Sequence, residues 1–347
     1  MNERELQQME IILPFRPRRH PGGTRAQCYA RTWATRFELL PDDDSQSRFD
    51  TLGYGRFASY WCPTAAFVDL VLLVEWITLF FTFDDLQDLA MMTDNVGEYD
   101  ALRYAALDVV HRRPRRNGDN PPVIAALENL CGRTFPRQNS DAARRFALNL
   151  EIWLVGHARE NVFRYSATTP SLAEYARLRR DASTVLPTVD LTEIAERAVI
   201  PDALYFGPSY QEIIATTADI MCWINDLHSL SVETVSEDPI NLVTVLRRHS
   251  GLNLEDAVAE VRKLIESRVE DNRAAVLGIR SEMDTLNLDA QVRHAVERCI
   301  RNCHSATAGM ELWDRTDTVR FTGNAPRFSH IAPQSRSAVS PNPRDIS

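Results

Sequence analysis

Residues 64–88 read TAAFVDLVLLVEWITLFFTFDDLQD, a long apolar run that ends in three aspartates, Asp84, Asp85 and Asp88. The spacing of its residues follows the helical period and not the two-residue alternation of a strand. Asp69 and Glu75 lie inside the run, which predicts a buried helix and argues against a membrane span. On a helix, Asp84 and Asp88 stand about 40° apart and share a face, while Asp85, about 100° from Asp84, borders it. Carboxylates gathered beside buried aromatics are costly unless a cation neutralises them. Their hard oxygens select magnesium over softer metals. Short acidic runs are common, so a helix end that merely reaches solvent is the plainer reading of this motif taken alone.

Outward from this stretch, strand signals are nearly absent and only 13 of the 347 residues are glycine. Residues 1–24, with Pro14, Pro17, Pro21 and the Gly22-Gly23 pair, read as an extended arm. A helix is expected over about 24–40, closed by the acidic Pro41-Asp42-Asp43-Asp44 turn, and a second from Pro63 into the nineties. Others are expected over 99–112, 122–133, 140–164, 171–186, 190–198, 208–235, 239–249, 254–282 and 287–314, each bounded by Pro, Gly, Asx or Ser. Residues 323–347 are rich in proline and serine and predict a disordered tail. No linker or repeat divides the chain, so residues 25–322 form one all-α domain in this reading.

Hydrophobic residues make up 44% and charged residues 25%, which suits a soluble protein with a sizeable core. A formal charge of −9 excludes a typical nucleic-acid partner, but not an anionic substrate, since bound metals invert the local field. Six cysteines without CxxC spacing indicate neither zinc nor a disulfide framework, and a cytoplasmic location fits best. The basic N-terminus has no apolar core of a signal peptide.

A second chemical motif occurs at Asn225-Asp226-Leu227-His228-Ser229-Leu230-Ser231-Val232-Glu233. Asn225, Ser229 and Glu233 fall at i, i+4 and i+8, so an amide oxygen, a hydroxyl and a carboxylate form one stripe. Such a stripe holds magnesium weakly alone and more tightly when a diphosphate adds oxygens. An exposed polar face is the alternative, but Met221, Cys222, Trp223 and Ile224 lead straight into the motif. His228 is off the stripe and reads as a non-ligand.

The pairing of DDxxD with a later NDxxSxxxE resembles that of class I terpene synthases of the bacterial and fungal single-domain type. Asp238-Pro239-Ile240-Asn241 is similar to the DxxN that follows the second motif in that family. Arg179 lies 46 positions before Asn225, where the family carries a diphosphate-sensing arginine. Gly309, Trp313, Thr318 and Arg320 resemble a GNxxW…TxRY signature, and the likeness spans about residues 12–322. The resemblance implies a single-domain antiparallel bundle of α-helices that ionises a linear prenyl diphosphate, farnesyl diphosphate before geranylgeranyl diphosphate, and cyclises the carbocation. It implies three Mg2+ ions, with Arg179 and Arg320 on the diphosphate, Trp313 in the cavity and a homodimer left open. Three departures stand out: Val232 replaces a basic residue, Phe321 replaces tyrosine, and Ala182-Ser183 replaces a Thr/Asp-Gly pair.

Back along the helix from Asp84, Phe81, Phe80, Ile77 and Trp76 share its face at greater depth. Their rings could line a cavity and stabilise a cation by its attraction to the aromatic face, although ordinary core packing is the commoner fate of such a stripe. A chain-elongating prenyl diphosphate synthase would need a second aspartate-rich motif, which is absent. A helical protein that keeps the fold without catalysis is the remaining alternative.

Overall fold

The computed structural model describes residues 10–113, 120–236 and 238–321, with the backbone alone over 231–236. Within these there are fourteen α-helices and no β-strand. They are α1 (Gly23–Arg36), α2 (Asp43–Leu52), α3 (Tyr54–Trp61), α4 (Phe67–Met92), α5 (Val96–Val110), α6 (Pro122–Thr134) and α7 (Ser140–Ser166). The second half holds α8 (Leu172–Ala182), α9 (Val185–Ala195), α10 (Asp202–Tyr205), α11 (Pro208–Ser236), α12 (Leu242–Ser250), α13 (Leu254–Thr285) and α14 (Ala290–Leu312). A π-helical turn, Trp313–Asp317, prolongs α14. The described residues are all-α, as expected. The expected disordered tail at 323–347 lies outside the described residues.

Four helix starts follow from polar residues that satisfy the free N–H groups of the first turn. Asn139, Ser171, Asn253 and Asp289 each accept from the backbone N–H three residues on. Other boundaries differ from the expectation. The acidic segment after Pro41 does not only close a helix: Asp42 forms a capping box with Ser45 and starts α2. Aspartates favour that position because the helix dipole is positive there. The helix expected from Pro63 begins at Phe67, and α3 had not been foreseen at all. The break expected between 186 and 190 falls at Ser183-Thr184, and Pro187 sits inside α9. In the first turn a missing N–H costs nothing, so proline is accommodated there.

Helix α4 is the centre of the bundle. Eighteen of its 26 residues are buried, on all sides and not along one stripe. Its two internal carboxylates are each paired: Asp69 with Arg137, and Glu75 with Arg133 at 2.6 Å. Among the described residues no helix is long and apolar enough to cross a membrane. On one flank α4 meets α7 through edge-to-face rings, Phe80 and Phe83 against Trp153. On the other it packs on α1 and α3, and α3 in turn packs on α14. Residues 10–22 run without helix across α14, where Arg18 N donates to Ser305 Oγ at 2.9 Å and Phe15 stacks on His304.

Two glycines set distances that matter to the site. A Cβ on Gly309 would meet the Tyr60 ring at 2.2 Å, so this glycine lets α14 lie directly on α3. A Cβ on Gly156 would stand 2.6 Å from the backbone of Ala182, so the end of α8 rests against the α7 backbone. Gly156→Ala should therefore destabilise the chain by about 1–3 kcal/mol through overpacking. Gly132→Ala, in a helix with open space around it, should be neutral or stabilising by up to ~1 kcal/mol. Chemical denaturation of the two variants would show this contrast; equal midpoints would mean that the α7–α8 contact yields freely.

Candidate active site

The acidic motif occupies the last turns of α4. Asp84 is half exposed, Asp88 half-buried, and Asp85 fully buried beneath them, deeper than its expected border position. Arg320, placed by the turn after α14, reaches this motif from the other end of the chain. Its Nη2 donates to Asp84 Oδ2 at 2.7 Å and Asp85 Oδ1 at 2.6 Å, and its Nη1 donates to Asp85 Oδ2 at 3.2 Å. The guanidinium also lies over the Phe81 ring, 4.6 Å from its centre, and Tyr54 stacks on Phe81 with ring centres 4.7 Å apart. Burial works against the Arg320 charge, but Asp85, Tyr54 and Asp84 more than offset it and hold its pKa well above the ordinary arginine value. Asp88 faces a different arginine, Arg164 of α7, at 3.8 Å, and Arg164 bonds Asp238 at 2.9 Å.

The second motif lies on α11, whose polar end opens on the same side. Asn225 Oδ1 accepts from Arg179 Nη2 at 3.0 Å. Asp226, about 100° round the helix from Asn225, is not on the ligand stripe and serves as a buried hub. Its Oδ1 accepts from Arg179 Nε at 3.1 Å and Nη2 at 3.0 Å, and its Oδ2 accepts from Tyr175 and from Leu242 N. Asn241 Nδ2 donates to Asp226 O at 2.8 Å, which ties the DxxN segment to the same residue. Ser229 Oγ is buried without a hydrogen-bond partner among the described residues. The Glu233 side chain lies outside the described residues. Among those described, no three His, Cys, Asp or Glu side chains gather around one point; the oxygen donors stand on two separate faces, each with its own arginine.

Between these faces is a cavity of about 110 Å³, with Asp84, Arg179 and Asn225 at its polar rim. Phe80, Phe81, Phe57, Trp61, Trp153 and Met221 supply its apolar wall. His157 also lines it, held by Tyr99, and burial lowers its pKa to about 4, so the wall carries no charge at neutral pH. Two expected cavity residues stand elsewhere. Trp76 is fully buried in the α4–α6–α7 core, where its Nε1 donates to Thr134 Oγ1 at 2.9 Å. Trp313 lies behind the wall, stacked on Phe57 with centres 4.9 Å apart and bonded to Leu52 O at 3.0 Å. Trp76 and Trp313 therefore back the lining without forming it.

This is the architecture of a helical cyclase: an apolar pocket between two oxygen-rich helix ends. The family described as "Terpene synthase family 2, C-terminal metal binding" matches residues 75–271, more than half of the chain. Pristinol synthase of Streptomyces pristinaespiralis is 28% identical over 306 residues, covering 87% of this chain and 82% of that protein. A Kitasatospora setae protein, named as a corvol ether synthase that cyclises (2E,6E)-farnesyl diphosphate, is 26% identical over 87% of this chain and 91% of its own length. Among solved structures, linalool/nerolidol synthase from Streptomyces clavuligerus superposes with a TM-score of 0.79 at 21% identity, covering 88% of this chain and all of that one. The chain belongs to the terpene synthase family: it is a class I enzyme, a carbon–oxygen lyase acting on phosphates.

Arg164, Tyr175 and Asp226, with the wall residues Phe57, Trp61, Trp153 and His157, are members of the site that sequence spacing missed. Only the position of Asp226 next to Asn225 gave a signal, because a residue off the ligand stripe must face a neighbouring helix. Asp226→Ala would leave Arg179 buried without its main counter-charge, and should cost about 3–5 kcal/mol of stability. Asn225→Ala removes a rim residue and should stay within ~1 kcal/mol of the parent. Equal unfolding midpoints for the two variants would show that Asp226 does not brace α8 against α11.

Proposed function

We propose that the chain is a Mg2+-dependent cyclase that ionises a linear prenyl diphosphate, farnesyl diphosphate first, and releases diphosphate with a cyclic terpene hydrocarbon or alcohol. The observation that carries this reading is the aromatic cavity whose rim joins two oxygen-donor faces braced by arginines: Arg320 and Arg164 at the aspartates, Arg179 at Asn225. The donor set fits magnesium: Asp84 and Asp88 on one side, Asn225, Ser229 and Glu233 on the other, all hard oxygens. The buried Ser229 hydroxyl, lacking a hydrogen-bond partner among the described residues, is the kind of atom an ion would satisfy. Bound there, magnesium (three ions, by resemblance to the family) would act as a Lewis acid on the departing diphosphate.

The protein's own groups divide the remaining work. Arg179 and Arg320 carry fixed charge and forked donors suited to diphosphate oxygens. Each is pre-oriented by carboxylates, so little side-chain entropy is lost when it turns to the substrate. Phe80, Phe81, Phe57 and Trp153 exclude water from the prenyl chain, and their ring faces stabilise positive charge passing along it by ~2 kcal/mol or more in a dry site. The neutral His157 adds no charge that would repel the cation. The name of the Kitasatospora setae relative supports a fifteen-carbon substrate; geranylgeranyl diphosphate is the second candidate, and incubation with C10, C15, C20 and C25 diphosphates distinguishes them by product mass.

Activity should require magnesium and disappear in EDTA, because no soft or nitrogen ligand is in the donor set. Asn225→Ala and Glu233→Ala should each lower turnover by roughly 100-fold or more while helical circular dichroism stays unchanged. Full turnover in EDTA, or parent-like turnover by both variants, would sink this mechanism.

Phe80 and Phe81 allow ionisation and cation guidance to be separated. Phe81 carries Arg320 on its face, so Phe81→Leu should reduce both diphosphate release and cyclisation. Phe80 touches Trp76 and Trp153 but not Arg320. Phe80→Leu should therefore keep diphosphate release within about threefold of the parent and shift the products toward acyclic or early-quenched terpenes. Released diphosphate and the hydrocarbon profile, measured in the same reactions, provide the comparison; an unchanged profile for Phe80→Leu would return this ring to the ordinary core.

A further inference from the structure

Two adjacent arginines, Arg179 and Arg180, stand near the end of α8, and each takes one aspartate of α11. Arg180 makes a fork of its own: Nε donates to Asp219 Oδ1 at 2.5 Å and Nη2 to Asp219 Oδ2 at 2.7 Å. Asp219 is 1% exposed and lies seven residues before Asp226. Seven residues are two helical turns, so the two aspartates share a face of α11 about 10 Å apart. Between them Cys222 Sγ donates to Arg179 O at 3.8 Å. Residues 219, 222 and 226, at i, i+3 and i+7, thus form one stripe on which the tip of α8 is seated.

The two ion pairs have different surroundings. Asp226 has Arg179 as its counter-charge, with Tyr175 and Leu242 N as neutral donors. Asp219 has two guanidiniums, because Arg268 of α13 also donates to its Oδ2 at 2.8 Å. Arg268 is itself held by Glu212 at 2.7 Å and Asp271 at 2.8 Å. A buried carboxylate that takes a fork from one arginine and a third bond from another resists exchange of its partners. Arg179, by contrast, can serve a diphosphate only by loosening its hold on Asp226, and that hold is part of what keeps α8 in place. Tyr175, one turn earlier, would still bind Asp226; the tip of α8 would be left to the contacts at 219 and 222.

We propose that Arg180 and Asp219 are positioning residues for Arg179: their fork keeps the tip of α8 seated on α11 while Arg179 turns from Asp226 to the diphosphate. The guanidinium then moves as a side chain over a fixed backbone. This rests on the reading of Arg179 as a diphosphate ligand. Without the clamp the tip of α8 shifts with its side chain, and a misplacement of about 1 Å in a binding group can cost up to ~100-fold.

The test is isothermal titration calorimetry of inorganic diphosphate into the full chain in the presence of Mg2+, with circular dichroism as the check on folding. Arg180→Gln should weaken binding by about tenfold or more. Arg268→Gln removes the other partner of the same aspartate without touching α8, and should bind within about threefold of the parent. Asp219→Asn separates seating from long-range charge, since it changes the net charge in the opposite sense to Arg180→Gln. A field effect would make it bind the anion more tightly, whereas loss of the clamp weakens binding as in Arg180→Gln. Should Asp219→Asn not fold, the contrast between Arg180→Gln and Arg268→Gln decides alone. Parent-like binding by Arg180→Gln, an equal loss in Arg268→Gln, or tighter binding by Asp219→Asn would each overturn the positioning role alone. Failure of the parent to bind diphosphate with Mg2+, or parent-like binding by Arg179→Gln, would overturn the reading of Arg179 and this role with it.

Discussion

Two carboxylates, Asp85 and Asp226, are buried at the polar ends of α4 and α11, and neither could be there without an arginine. Water cannot reach them, so the penalty for removing their charge from solvent has to be met inside the protein. Arg320 meets it for Asp85 and Arg179 for Asp226, each through forked, charge-assisted contacts at 2.6–3.2 Å. The consequence is geometric. Each guanidinium is held within reach of the rim, Arg320 beside Asp84 and Arg179 beside Asn225, before any substrate arrives.

The rest of the bundle can be understood as what keeps these pairs in register. Arg179 rides on α8, which Gly156 allows to settle on the α7 backbone, and α8 is pinned to α11 by Tyr175 and Asp226. Arg320 follows a π-helical turn that is anchored to Leu52 through Trp313. Arg164 bridges Asp88 of the first motif and Asp238 beyond the second. Three arginines therefore tie the two oxygen-donor faces to one framework. Replacing Asp226 with an apolar residue would leave Arg179 with an uncompensated charge, not a simple gap.

Much of the site was legible because helical spacing alone places Asp84 with Asp88, and Asn225 with Ser229, on common faces. The central helix was legible for the same reason. What spacing does not carry is depth and tertiary partners. Trp76 and Phe80 share a helix face, but Thr134 claims the indole N–H of Trp76 and draws it into the core, whereas Phe80 borders the cavity. The α8–α9 break was displaced because Pro187 looks like a terminator, although a first-turn proline is harmless. Helices α2 and α3 were missed because Asp42–Asp44 read equally well as a turn, and because α3 is buried almost all round and so lacks a polar face.

If the arginines are poised by carboxylates in order to be handed to the substrate, a crystal structure with Mg2+ and inorganic diphosphate should show the transfer directly. Arg179 and Arg320 should lie within about 3 Å of diphosphate oxygens, with metal ions on Asp84/Asp88 and on Asn225/Ser229/Glu233. Diphosphate bound elsewhere, with both guanidiniums still confined to Asp226 and Asp85 and no ion on either face, would contradict it.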